Sequence, residues 1–505
     1  MRWDENRRSS IREMSPLPHA SSRFDSIVSW ILTGTLVLST AMILHNIFGI
    51  AFWRDDDLIY ASPKLMEIRV RGEGRWLNYL LYPFIRDLNG LFAWGISFVC
   101  TFFFFVKVAR LYVAGRLMVF ALALMCFQYP GFYAQSLWPA FCVPGAFILA
   151  IAATCANRIP ITLFFLLFGC LLIGSNTQLY FFLPVLFLDQ NFLSLHEPWK
   201  KAAELVGIWI VGLIAGYGFA SWMNFFLVGE WGIRLESWRE SNPIVDFVSA
   251  QANAITRLEH LKDHLSAIFP GDQWILLFPA ALWFIWTQAR DGRLRWLSAA
   301  STVLIFVASA IYAVTLYNGI WINYRTTNAL FLGVLFLFLL PSVQQRAQTL
   351  YCLAIFALVV TPMSWQSYDE TRWFSRVSSI MADDLKEAEL PKTARIIVDA
   401  KDLDAYYRGV EARSALMPPL FMERMDKWFR WRGCASSLGF TEVIWCRTES
   451  GEWPRSKAGL CDERLAPFET TAHPIDRNRK IAVLQSSTEE TVIRMLPPPN
   501  ETLEE

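Results

Sequence analysis

Residues 27–48 read IVSWILTGTLVLSTAMILHNIF, an apolar run that contains no Asp, Glu, Lys or Arg. A helix that spans a bilayer needs about 20 consecutive, mostly apolar residues, and this run has that length. It begins too far from Met1, and is too long, to be the apolar core of a cleaved signal peptide. The run therefore predicts a membrane-spanning helix.

Similar apolar runs recur along the chain as far as residue 363. We predict further spans at 88–106, 117–135, 138–156, 160–175, 180–195, 205–228, 274–288, 296–317, 327–341 and 350–363. Of the 505 residues, 54% are hydrophobic and only 18% are charged, which excludes an ordinary soluble domain. A net charge of +1 offers no concentrated basic surface for a nucleic acid. We expect an all-α polytopic membrane protein with about 11 transmembrane helices.

Lys and Arg alternate from one predicted loop to the next. The N-terminal tail, residues 1–26, carries five arginines, and every second loop after it is basic. Loops that are rich in Lys and Arg stay in the cytoplasm. Because the N-terminal tail is basic, the N-terminus is predicted to be cytoplasmic. An odd number of spans then puts the chain after residue 363 in the periplasm of a bacterial cell. The transmembrane domain, 27–363, is expected to lie in the inner membrane, with its first outward loop at 49–87.

The polar region at 364–505 has the pattern of a small α/β domain. Short β-type runs at 394–398, 442–445 and 481–484 predict strands, and 420–430 predicts a helix. Its cysteines are Cys434, Cys446 and Cys461. In an oxidising compartment we expect one disulfide among them, with the third thiol left free. The sequence does not decide which two pair.

Three adjacent carboxylates follow the first span, in Phe52-Trp53-Arg54-Asp55-Asp56-Asp57. Like charges so close raise the pKa of at least one carboxyl group, which suits a general base. The same group of carboxylates is suited to binding a divalent cation such as Mg²⁺ or Mn²⁺. The structural alternative is a solvated acidic turn that caps the next helix. We take the three as candidate catalytic residues without choosing which is the base.

A short amphipathic helix is predicted next, at 63–75, with apolar residues on one side and charged residues on the other. It closes on Gly72-Glu73-Gly74-Arg75-Trp76. Trp76 suits the level of the lipid headgroups, and we take it as a candidate substrate-binding residue. The guanidinium of Arg75 can grip a phosphate with two hydrogen bonds, or it can simply reach out of the membrane to water.

This first outward loop resembles that of a known family. Adjacent aspartates just past the first span, an interfacial helix and a closing Gly-x-Gly-Arg-Trp are similar to the Gtr-type glucosyltransferases that modify bacterial O-antigen, members of the GT-C class. The resemblance implies a polyprenyl-phosphate-linked hexose as donor, glucose in that family. It also implies a periplasmic glycan or glycolipid as acceptor, and an aspartate at the catalytic position, here Asp55 or Asp56 by preference.

Other polar residues fall on the same predicted outward side. Tyr324-Arg325 lies in a turn between two spans, where Arg325 is a second candidate for the donor phosphate and Tyr324 for the substrate. Gln178 ends another span on that side and could hydrogen-bond a sugar. His260 and His264 stand one helical turn apart, a spacing that can bind a metal, but the glutamate of the HExxH pattern is missing between them, and we expect a solvated helical face.

Three functions remain open on the sequence. The leading one is a glycosyltransferase that moves a hexose from a polyprenyl phosphate to a surface glycan or glycolipid. An O-antigen ligase or polymerase is the second, and would rest on Arg234, Arg239 and His260 in the segment 229–273. A lipid or glycan transporter is the third, although the predicted spans contain almost no charge and show no inverted repeat.

Overall fold

A computed structural model gives the fold of the chain. It describes residues 23–53, 63–86, 88–135, 137–188, 193, 196–234, 241–345, 347–390, 395–400, 402–417, 419–421, 442–446, 458–468, 481–486 and 490–496. Residues 1–22 of the predicted N-terminal tail lie outside the described residues. Residues 23–26 of the tail belong to the first helix.

Within these residues the chain is mostly helical, and five stretches are long and apolar enough to cross a membrane. They are Arg23–Phe48, Gly90–Tyr112, Pro198–Val228, Leu294–Leu316 and Gln348–Glu387. A bent pair, Phe247–Ile268 with Asp272–Arg290, is a sixth candidate, and its two parts meet at 79°. These helices confirm a multi-pass helical membrane protein.

The remaining predicted spans coincide with shorter helices. These are Arg116–Cys126, Pro130–Gln135, Pro139–Cys155, Ile161–Ile173, Thr177–Tyr180, Leu183–Phe187 and Asn328–Leu339, the last continued by Leu340–Ser342. At a rise of about 1.5 Å per residue, each is too short to cross a hydrocarbon core of about 30 Å alone. The count of about 11 spans therefore stays a prediction. Two further helices, Pro63–Glu73 and Trp76–Ile85, belong to the first outward loop.

The predicted span at 117–135 is interrupted just before Pro130, which has no backbone N–H to continue the helix. Gln128 lies at the interruption and is fully buried. Its backbone carbonyl accepts a hydrogen bond from the Ser367 hydroxyl at 2.7 Å, and its side-chain carbonyl accepts one from Ser364 at 2.9 Å. Its amide donates to the hydroxyl of Thr40 at 2.9 Å. Irregular backbone inside a membrane protein needs such internal partners.

The last long helix does not end where the apolar sequence ends. After Met363 the residues become polar, yet the helix continues to Glu387. One face of this extension is a buried stripe of hydroxyl residues, Ser364, Ser367, Thr371 and Ser378. Thr371 accepts a hydrogen bond from Asn46 of the first helix at 3.2 Å, and Ser378 accepts one from the backbone N–H of Ala51. The boundary at 364 thus marks a change of composition within one helix.

Two helices near the middle of the chain touch backbone to backbone. Gly212 and Gly216, one turn apart on helix Pro198–Val228, lie against Gly169 of helix Ile161–Ile173. A Cβ atom on Gly212 would fall 2.6 Å from the carbonyl oxygen of Phe165, and one on Gly216 would fall 2.7 Å from that of Gly169. Small residues at this spacing let membrane helices approach closely.

The glycine contact gives a prediction about stability. Gly212→Leu should lower the free energy of unfolding by about 1–3 kcal/mol or more, because the new side chain meets rigid backbone. Gly218→Leu, on the same helix with open space around it, is the matched control and should change little. Thermal unfolding of both variants in detergent measures the difference. Equal midpoints would show that the close contact does not form.

The C-terminal region contains a four-stranded sheet in the order β2-β1-β4-β3, built from β1 (Arg395–Asp399), β2 (Glu442–Cys446), β3 (Ile481–Ser486) and β4 (Glu490–Met495). Strand β1 runs parallel to β2 and β4, and β3 pairs antiparallel with β4. Three strands are confirmed, and β4 was not predicted. Helices Leu403–Ser414 and Ala458–Leu465 accompany the sheet.

A disulfide joins Cys446 of β2 to Cys461. Cys434, the third cysteine of the tail, lies outside the described residues, as does nearly all of the predicted helix at 420–430. A buried ion pair attaches this region to the long helix. Asp384, 3% exposed, accepts hydrogen bonds from both terminal nitrogens of Arg413 and from the hydroxyl of Tyr406. Because both charges are satisfied, this contact fixes helix Leu403–Ser414 to the helix from the membrane.

Candidate functional site

Two arginines from distant parts of the sequence lie on neighbouring aromatic rings. Arg75 lies over Phe141, with its guanidinium carbon 4.0 Å from the ring centroid. Arg325 lies over Trp138 at 4.1 Å. The two rings stand three residues apart at the start of helix Pro139–Cys155, and Trp138 packs against the cluster that contains Phe141. We call Trp138 and Phe141 the aromatic patch. The end of the helical bundle that contains Arg75 and this patch is called the Arg75 end.

Arg75 is held by three kinds of contact. Its guanidinium forms an ion pair with Glu73, whose carboxylate also accepts from Arg69 at 2.5 Å. A second nitrogen donates to the backbone carbonyl of Ser175 at 2.9 Å. Ser175 closely follows the end of helix Ile161–Ile173, where a cation is favoured by the helix dipole. The side chain is 23% exposed.

Gly74 sets the direction of the chain at this point. Its φ of +69° is a left-handed conformation that glycine adopts without strain. The glycine packs against Ala220 of helix Pro198–Val228 and against Ile233, so a side chain here would meet both. The short helix Pro63–Glu73 therefore ends in a sharp turn, and Arg75 leaves this turn towards the aromatic patch.

Arg325 sits in a single 3₁₀ turn, Tyr324–Thr326, between helices Leu294–Leu316 and Asn328–Leu339. The side chain of Asn323 caps the turn by accepting from the backbone N–H of Arg325 at 3.1 Å. Stacking on Trp138 fixes the plane of the guanidinium. An aromatic face attracts a cation through its quadrupole and does not neutralise its charge.

A cavity of about 50 Å³ lies between helices Gly90–Tyr112 and Pro139–Cys155. It is mainly apolar, and its lining includes the polar residues Ser97, Thr101, Gln135 and Asn176. Gln135 accepts a hydrogen bond from Asn328 at 2.8 Å, which ties the cavity wall to the helix that follows Arg325. A space of this size holds a few water molecules but not a sugar ring. A hexose would have to bind outside the cavity or displace its walls.

The candidate acids Asp55, Asp56 and Asp57 lie outside the described residues, and so does their proposed metal site. The described residues on either side of them contact the helices that build the Arg75 end. Trp53 lies directly on Gly90, at the start of helix Gly90–Tyr112. Met66, after the acids, is fully buried in the cluster that contains Phe141.

The three predicted substrate-binding residues have different surroundings. Trp76 is buried, 7% exposed, and packs on Gly174 and Phe219 between two membrane helices. These contacts place its ring among protein side chains. Gln178 is half-buried, and its side-chain oxygen has no hydrogen-bond partner in the described part of the chain. Tyr324 is half-buried, and burial raises the pKa of its phenol.

The expectation of a solvated face at His260 and His264 is wrong. Their exposed fractions are 5% and 2%, because this side of helix Phe247–Ile268 faces the bundle. The Nδ1 atom of His264 lies 2.7 Å from the Tyr312 hydroxyl, and its ring packs on Tyr324. The ring of His260 packs edge-on against Trp321. Polar residues thus line the buried face, while apolar residues of this helix are exposed, as expected beside lipid.

The residues of the ligase alternative contact different elements. Arg234 is 77% exposed, pairs with Glu230 and donates its backbone N–H to Arg71 of the amphipathic helix. His260 packs against Trp321, as above, and Arg239 lies outside the described residues. Within the described ranges, no three His, Cys, Asp or Glu side chains gather in a way that could hold a metal ion.

Sequence analysis selected both arginines, whose role at the donor phosphate stays a prediction, and it missed the aromatic patch on which they stack. The available signal was Trp138-Pro139-Ala140-Phe141 at the predicted outward start of a span. The role of Glu73 was also missed, although it stands two residues before Arg75. No protein-family model matches this chain, and neither the curated proteins nor the solved structures include one with significant similarity to it.

Proposed function

We propose that this chain is a membrane glycosyltransferase of the GT-C type, which moves a hexose from a polyprenyl-phosphate donor to a periplasmic glycan or glycolipid such as O-antigen. The observation that carries the proposal is the pair of guanidinium groups on one aromatic patch. Arginine is suited to phosphate because its planar fork donates two parallel hydrogen bonds. Two such groups at one end of a membrane bundle suit a phosphate that is attached to a lipid.

On this proposal the Arg75 end faces the periplasm of a bacterial inner membrane, and the N-terminus faces the cytoplasm. The basic loops support this orientation. The Cys446–Cys461 disulfide supports it as well, because disulfides persist in the periplasm and are reduced in the cytoplasm. ATP and nucleotide sugars are absent from that compartment, so a lipid-linked sugar is the appropriate donor.

In the proposed reaction, carboxylates and arginines have separate roles. A carboxylate among Asp55, Asp56 and Asp57 takes the proton of an acceptor hydroxyl. The acceptor oxygen forms a bond to the anomeric carbon as the bond from that carbon to the phosphate oxygen breaks. Arg75 and Arg325 bind the phosphate as its negative charge increases. The products are the glycosylated acceptor and the polyprenyl phosphate, and the stereochemistry is left open.

The proposal gives roles to two neighbouring polar groups. The phenol of Tyr324 and the side-chain amide of Gln178 are candidates for hydrogen bonds to sugar hydroxyl groups. Trp76 has no role in the proposed substrate binding, because its ring is enclosed by protein. A divalent cation such as Mg²⁺ or Mn²⁺ bound by the three aspartates is compatible with the same chemistry.

Transfer from a defined donor tests the proposed function. Membranes that contain the protein should move radiolabelled hexose from a polyprenyl phosphate to an O-antigen acceptor, and membranes without it should not. A labelled nucleotide sugar should support no transfer when the enzyme that makes the lipid-linked sugar is absent. Transfer of a whole preassembled glycan, with no transfer of the single hexose, would instead identify a ligase.

A further inference from the structure

Phe421 belongs to the C-terminal region, yet its side chain is buried in the membrane bundle. It is 0% exposed, whereas Met417, four residues earlier, is 89% exposed. Its ring lies edge-on to Tyr129, with centroids 5.0 Å apart, and to Tyr324, with centroids 5.4 Å apart. Tyr129 belongs to the interruption before Pro130, and Tyr324 begins the turn that carries Arg325. Phe421 therefore joins two irregular segments of the bundle.

The backbone of this segment is anchored as well. The carboxylate of Glu370 accepts hydrogen bonds from the backbone N–H groups of Leu420 and Phe421, both at 3.0 Å. Glu370 is 4% exposed and lies on helix Thr361–Glu387. Hydrogen bonds to a charged acceptor are about twice as strong as neutral ones, so this contact holds the segment firmly. Leu420 itself is 48% exposed, which leaves Phe421 as the side chain that enters the bundle.

The turn at Tyr324 is closed by local hydrogen bonds: the backbone carbonyl of Asn323 accepts from the N–H of Thr326 at 2.9 Å, and the side chain of Asn323 accepts from the N–H of Arg325 at 3.1 Å. Side-chain packing then places the turn against the bundle. His264 lies against the ring of Tyr324, with centroids 4.6 Å apart, and Phe421 is its other aromatic neighbour. The hydroxyl of Tyr129 is hydrogen-bonded to that of Thr327, at the end of the turn. Removing Phe421 takes away a partner that Tyr129 and Tyr324 share.

We infer that Phe421 is a positioning residue, through which the C-terminal region fixes the Tyr324–Arg325 turn against the aromatic patch. The effect on the turn follows from packing alone. Its consequence for donor binding rests on the proposed function, in which Arg325 binds the phosphate. The C-terminal region then completes the phosphate site from outside the membrane, in addition to any contact that it makes with an acceptor.

Hydrogen–deuterium exchange of the full chain in detergent tests the positioning. In Phe421→Ala, the backbone amides of Arg325, Thr326 and Thr327 should exchange at least about tenfold faster than in the parent protein. Phe421→Leu fills part of the space and should fall between the two. Met417→Ala is the matched control on the same segment and should leave these amides unchanged. Unchanged exchange in both Phe421 variants would overturn the inference.

A binding measurement separates this inference from the proposed function. A short-chain prenyl phosphate is the probe, and its dissociation constant for Phe421→Ala should rise by about tenfold, with Met417→Ala as in the parent. Faster exchange together with weaker binding supports both ideas. Faster exchange with unchanged binding supports the positioning role and contradicts the assignment of Arg325 to the phosphate. Should Phe421→Ala fail to fold, the same readouts on Phe421→Leu decide the matter.

Discussion

Replacing Asp55, Asp56 and Asp57 together by Asn should lower sugar transfer by about a hundredfold or more, because Asn keeps the shape of Asp and cannot accept a proton. Among the single variants, one should be as severe as the triple variant. The other two single variants should lower sugar transfer less, by about tenfold each, since those residues adjust the pKa of the base or bind a cation. Rescue by added Mg²⁺ or Mn²⁺ would identify a coordinating residue.

Transfer from a polyprenyl-phosphate hexose in membranes is the measurement, at matched protein levels. Asp263→Asn is a suitable control, because Asp263 is an exposed acid on a helix within the segment 229–273, which is also predicted to face outward. Near-normal transfer by the triple variant would show that the acids are not catalytic. Loss of activity on changing Arg234, Arg239 or His260 instead would favour the ligase alternative.

The double variant Arg75→Ala, Arg325→Ala should have the second-largest effect, and it should act on the donor. Each charge-assisted hydrogen bond to a phosphate contributes about 1.5–3 kcal/mol, which corresponds to a loss of about ten- to a hundredfold for each arginine. We expect a raised KM for the lipid donor and an unchanged KM for the acceptor. Lysine at either position should restore only part of the function, because it cannot make the paired hydrogen bonds or stack in the same way.

Arg234→Ala is the matched control for this prediction, since Arg234 is an exposed cation near the same amphipathic helix. Thermal unfolding should accompany the kinetics, because removing Arg75 also takes an ion-pair partner from Glu73. Unchanged donor kinetics in a folded double variant would exclude the proposed phosphate site.

Apolar composition predicted where helices occur and not where they end. Most predicted spans coincide with helices, because an apolar run in a membrane must satisfy its own backbone hydrogen bonds. In 180–195 the described part forms mainly the short 3₁₀ helix Leu183–Phe187. The extension of the long helix to Glu387 was not predicted, since its buried face mixes apolar residues such as Trp373 and Phe374 with hydroxyl residues that hydropathy counts as polar. The spacing of Ser364, Ser367, Thr371 and Ser378 was the signal for that face.

The candidate site was predictable in its charges and not in its contacts. Arg75 and Arg325 stand out as cations on the outward side, but their meeting at Trp138 and Phe141 depends on how helices pack. His260 was misjudged for a related reason. In a soluble protein the polar face of a helix is expected to face water. In a membrane protein a polar helical face turns towards other parts of the protein, so the expectation of an exposed face was wrong here.

The stacking of cations on aromatic rings has a consequence for the protein at rest. Rings hold Arg75 and Arg325 in place, Glu73 pairs with Arg75, and a bilayer supplies anionic headgroups in large excess over any rare donor. On the proposed function, phospholipid phosphate occupies the vacant site between turnovers. The donor must then displace a resident lipid, so the apparent affinity depends on the anionic lipid content of the membrane as well as on the protein.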